Sequence, residues 1–157
     1  MSVVIIDGRV KVVWASAVAN VAAPTTAELN AGTALQGLIT PDGLDIASQT
    51  GKVDVSNLGS KTTTYRAGRK AYDVAIKFHH DSPTDTAYNL FPYRTTGFLV
   101  VRRGVDATTA WGAGDKVEVY PLEAGEAMQE KPAPDSPWDF TTPFYLMSDE
   151  NTRAVVV

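Results

Sequence analysis

TTGFLVVRRGVDATTAWGAGDKVEVYP, Thr95–Pro121, decides how this chain folds. Phe98, Leu99, Val100 and Val101 form an unbroken run of aromatic and branched apolar residues. A run too short for a surface helix fits a strand covered on both faces. Arg102 and Arg103 break it, and Gly104 marks the exit. After a polar connection, Lys116 and Glu118 interleave with Val117 and Val119, the alternation of a strand with one dry face and one wet face. A buried strand followed by a half-exposed one predicts an antiparallel pair. Trp111 lies in the connection, where a large aromatic needs something to cover it.

Outward from that pair, the clearest alternation is Tyr72, Val74, Ile76 and Phe78 against Asp73, Ala75, Lys77 and His79. Trp138, Phe140, Thr142, Phe144 and Leu146 alternate against Asp139, Thr141, Pro143 and Tyr145, with Pro143 favouring an edge. Pro121 predicts a bulge or an edge, and a bulge would bring Glu123 to the same face as Glu118. Arg9–Trp14, Gln36–Thr40 and Thr62–Ala67 read as weaker strands. Thr25 and Glu28 have capping-box spacing for one short helix, and Ser82-Pro83 predicts the start of another. Short connections cannot hold parallel crossovers. The expected fold is mainly β, an antiparallel sandwich or partly rolled barrel of about seven strands with a flanking helix.

The single domain expected over residues 1–157 has three loose parts. Met1–Gly8 is an apolar arm ended by a turn. Residues 41–60 read as a long loop, rich in Gly, Asp and Ser, with only Leu44, Ile46, Val53, Val55 and Leu58 as apolar interruptions and a weak alternation over Lys52–Ser56 that allows an extended hairpin. Residues 148–157 form a C-terminal arm ending in Val155, Val156 and Val157, a sticky edge in a lone molecule.

Composition narrows the chemistry. The chain has net charge −4 and pI near 5.1, so no overall basic field draws nucleic acid. It has no cysteine, which removes disulfides, thiolate metal sites and cysteine nucleophiles. No segment has the length of a membrane span, and the short N-terminus does not read as a signal peptide, so the default is a soluble cytosolic product. His79 and His80 point to opposite sides of a strand end and read as exposed residues without a shared metal. No nucleophile elbow supports a Ser–His–Asp site, and Gly112-Ala113-Gly114 lacks the rest of a dinucleotide fingerprint. The reading is therefore no enzyme and no cofactor. Lys61, Arg66, Arg69, Lys70 and Lys77 make the middle of the chain modestly basic, and acids gather later. A monomeric carbohydrate-binding module is the alternative, with Trp111 and Tyr88 or Tyr93 as its aromatic platform.

The segments T-T-G-F-L-V-V-R-R-G at Thr95–Gly104 and W-G-A-G-D-K-V-E-V-Y-P at Trp111–Pro121 resemble the major tail tube proteins of long, non-contractile-tailed phages, especially those of actinobacteria. A-P-T-T-A-E-L-N-A-G-T at Ala23–Thr33 and T-P-D-G-L at Thr40–Leu44 are similar to the same family's opening. The resemblance implies a virion tail protein, made in the host cytoplasm, whose copies form hexameric rings stacked into a tube. It implies contacts with tape measure, tail terminator and baseplate proteins, and double-stranded DNA passing without specific binding. Secretion tubes of similar fold are the near rival. By position, the 41–60 segment and both arms would bridge rings. A bore that releases DNA should be acidic, because cations would hold phosphate, so Glu118, Glu123, Glu126 and Glu130 are the expected lining.

Overall fold

The computed structural model describes all 157 residues. Strands β1 (Val10–Ala15), β2 (Thr33–Ala34), β3 (Ile39–Asp54), β4 (Tyr65–His79), β5 (Thr96–Arg103), β6 (Lys116–Ala124), β7 (Met128–Gln129), β8 (Asp139–Leu146) and β9 (Asn151–Val155) make one antiparallel sheet. Its order is β2-β1-β5-β6-β8-β4-β3, with β7 on β8 and β9 on β6. Helices α1 (Thr26–Ala31) and α2 (Thr86–Leu90) are short. The sheet is mainly antiparallel β and rolls without closing, as the alternation patterns predict.

The roll makes two cores. Val12, Trp14, Val74, Ile76, Phe78, Leu99, Val101, Tyr120, Leu122, Phe140 and Phe144 fill its inside, together with Ala87 and Phe91 from the α2 region. Val13, Val100, Val117 and Val119 point outward and are covered by Leu29 of α1, Trp111, Ala154 and Val156. Successive residues of β5 thus enter different cores, which is why its apolar run is unbroken. Burying one such side chain stabilises by about 1.5–3 kcal/mol. Trp14 anchors the inner core, edge-on to Phe91 at 4.9 Å and tilted against Phe144 at 5.7 Å.

Several local expectations change. Pro121 makes neither a bulge nor an edge: β5 and β6 pair in unbroken register from Thr96↔Glu123 to Val101↔Glu118. On its other side β6 pairs with β9 through Val119 and with β8 from Leu122, so the missing donor falls where β6 changes partner. Pro143 also sits in a central strand. Its carbonyl accepts from Gly125 just beyond the end of the β6–β8 ladder, so its missing donor also faces a gap between partners. Helix α1 has the predicted capping box, with the Glu28 carboxylate held low by the backbone N–H groups of Thr25 and Ala19. Helix α2 starts later than Ser82 would dictate, because the Asp81 carboxylate accepts from the Thr86 backbone N–H at 2.5 Å and its hydroxyl at 3.0 Å.

Candidate assembly surfaces

The segment expected as a loop at 41–60 is strand as far as Asp54, because Leu44–Asp54 finds a partner in Tyr65–Ile76 that local sequence does not reveal. Its first part belongs to the body. Leu44 and Ile46 pack against the inner core, and a Cβ on Gly43 would lie 2.6 Å from the Lys77 carbonyl oxygen. From Ser48↔Tyr72 outward, β3 and β4 pair only with each other, and nearly every residue is exposed on both faces. This is a two-stranded ribbon projecting from the body, carrying Lys52, Val53, Val55 and, at its fully exposed tip, Leu58. An isolated hairpin of this kind is marginally stable in water at best.

Glu150 clamps the ribbon's base. Its carboxylate, 4% exposed, accepts from Lys70 Nζ at 2.5 Å and from the Tyr72 hydroxyl at 3.2 Å. Burial pushes this carboxyl up, but the bonds from Lys70, its own backbone N–H and Tyr72 together hold it below the ordinary range. Beside it, Tyr72 meets Tyr120 edge-on at 5.7 Å, and the Tyr120 hydroxyl donates to Glu118 at 3.1 Å. Burial, then the Glu118 charge, pushes the Tyr120 hydroxyl pKa far up.

Where the sheet fails to close, β1 and β3 leave a groove of about 450 Å³. Val10, Ile39 and Leu44 give it an apolar floor, and Asp7 and Asp42 stand on its lining. Ile6 also lines it, while Met1–Ile5 are exposed to solvent.

The C-terminal arm is not free. β9 pairs with β6, Val156 donates to the Asp115 carbonyl, and Val157 exchanges backbone bonds with Pro24 and Thr26. Val156 is 1% exposed, while Val155 and Val157 remain largely outside. The outer face of β5–β6 needs an apolar cover, and the valine run supplies it within the same molecule.

The four candidate lumen acids do not converge. Unbroken register sends Glu118 to the inner face of β6 and Glu123 to the outer face. Glu118 bonds Arg103 at 2.8 Å, and Glu123 lies 3.8 Å from Arg94. Glu130 accepts from the Thr141 hydroxyl at 2.5 Å. Glu126 is exposed beside Tyr93 and Ala127 and makes no ion pair.

The histidines separate as predicted, yet His80 is not exposed. His79 Nδ1 lies 2.6 Å from Asp139, whereas the buried His80 ring lies between Asp85 at 2.9 Å and Gln129 at 3.0 Å. Trp138, expected on the core face, is 65% exposed and stacks on His80 at 3.7 Å. The proposed aromatic platform does not exist: Trp111 is buried in the outer core, with Lys11 and Arg102 over its ring. Sequence reading also missed Arg102, whose only signal was its place immediately after an apolar run. It is buried and donates to the carbonyls of Asp106, Thr109 and Ala110 and to the Asp115 carboxylate, organising the whole β5–β6 connection.

A family model described as "Phage tail tube protein" matches residues 1–157. The fold is similar to that of a chain in the cryo-EM structure of the anti-feeding prophage baseplate, 6-fold symmetrised, with TM-score 0.53 and 11% identity over 96% of each chain. No curated protein sequence matches. No helix is long and apolar enough to cross a membrane.

Proposed function

Because the chain belongs to the phage tail tube protein family, a structural and non-enzymatic family of the virion tail, we propose that its copies close into hexameric rings and stack into a DNA-conducting tube. The observation that carries this reading is the projecting β3–β4 ribbon, which beyond its Glu150-clamped base has no partner on either face within its own molecule. A marginal hairpin gains most by lying against a second copy. Contacts that join different surfaces of identical copies close into rings or continue into filaments. Six copies per ring are supported by the fold shared with a chain of a six-fold symmetrised assembly. The central motifs at Thr95–Gly104 and Trp111–Pro121 support a long, non-contractile tail. In that setting the subunit is made in the host cytoplasm and meets tape measure, terminator and baseplate proteins.

The bore is acidic in this reading, with Glu126 as its unpaired carboxylate. Glu118, Glu123 and Glu130 contribute less, since each already has a partner. The exposed N-terminal arm, with the ribbon, bridges successive rings.

The test is to replace Thr50–Arg69 by a two-residue turn. No residue of that stretch belongs to either core, so the body should keep its melting temperature to within a few degrees. Electron microscopy should then find rings or monomers in place of tubes. Normal tubes from the shortened chain would refute ribbon bridging.

A further inference from the structure

The ribbon's own composition specifies what it can dock against. Between Gln49 and Lys70 there are five cations and one carboxylate, against nine cations and seventeen carboxylates in the remainder of the chain. Its apolar residues Val53, Val55 and Leu58 are all exposed. An acceptor should therefore pair an apolar floor with acidic walls. The groove between β1 and β3 has that character, with Val10, Ile39 and Leu44 beneath Asp7 and Asp42. Its one cation, Arg103, is already taken by Glu118.

A ribbon cannot reach its own groove. Leu44 on the floor and Asp54 near the tip lie on the same extended strand. At about 3.3 Å per residue, that strand holds tip and groove more than about 30 Å apart. The occupant must come from another molecule. We infer that the Leu58-bearing tip of one copy seats in the β1–β3 groove of a second copy, with Lys52 and Lys61 facing its Asp7 and Asp42. This rests on the ribbon-bridging reading and names the surface that receives the ribbon. Donor and acceptor are different surfaces, so the contact repeats from copy to copy, and in the stacked-ring reading it runs from ring to ring along the axis. Its charge component weakens as salt rises.

The chain has no cysteine, which makes thiol cross-linking unambiguous. Leu58→Cys and Ala107→Cys, the latter on the groove wall, are combined in one chain and oxidised at concentrations where the unaltered protein associates. The expected result is a ladder of covalent multimers, less intense at high salt, and absent from either single variant. In parallel, Asp42→Lys should weaken association several-fold and Lys61→Asp should restore it in the double variant. Two results overturn the acceptor alone: association without the ladder, or a ladder that forms instead between Ala107→Cys and Val4→Cys of the N-terminal arm. A chain that stays monomeric at every salt concentration, or that assembles normally without its ribbon, overturns the bridging reading as well.

Discussion

Arg102 and Thr142 show how differently two buried polar side chains can stand. The two terminal nitrogens of Arg102 collect four acceptors, although Nε has none, and those bonds tie a ten-residue span, Asp106–Asp115, to the end of β5. Thr142 is fully buried on β8, and its hydroxyl has no partner. Thr142→Val removes an unmatched polar atom at nearly constant shape and should raise stability by about 1 kcal/mol, read as a higher urea midpoint. Asp115 gives a pH test. Its carboxyl is held below the ordinary range first by the Gly112 backbone N–H and then by Arg102. A depressed folded-state value means the stabilisation is present above the unfolded value of about 3.9 and fades as pH falls through the folded one. Asp115→Asn should lower stability at neutral pH and flatten its decline in acid. Urea titrations with the same acid slope in both proteins would contradict this role.

Elements differ in how far the sequence predicted them. β5, the body half of β4 and the capping box of α1 depend on local pattern and are legible, since each pattern has one low-energy use. The ribbon is legible only as the weak alternation over Lys52–Ser56, because Gly51 and the polar residues around it read as loop until Tyr65–Ala71 is laid beside them. The C-terminal valines misled for a related reason. Their apolar character was plain, but only the tertiary arrangement reveals the bare outer face of β6 that they cover. Removing residues 148–157 should therefore damage the monomer and not merely its assembly. It strips β9 from β6 and uncovers Val117, Val119 and Trp111, so the expected outcome is a melting temperature lower by many degrees and aggregation on heating. A truncated chain with an unchanged melting curve would return the segment to the role of a free arm.

For the whole molecule, the body is self-sufficient and the ribbon and N-terminal arm are not. Two cores and a packed C-terminus complete the former, whereas Met1–Ile5 and the ribbon remain in solvent. If the assembled bore is acidic, Glu126→Lys introduces a cation that binds phosphate where a free carboxylate repelled it. Particles carrying it should assemble to normal length and release DNA more slowly, measured as the rate of dye-accessible DNA after triggering. An unchanged release rate would remove Glu126 from the bore.

The amino-acid sequence by itself determined the class of fold and the doubly buried β5, because period and composition are local properties that survive without knowledge of partners. It also carried the family resemblance. Only the tertiary structure decided which way Glu118 and Glu123 face, what covers the outer sheet, that Arg102 is buried, and where the roll stays open. Those depend on strand register and on residues far apart in the chain. A shift of one position in register reverses every side chain on a strand, and no local pattern reports which position is chosen.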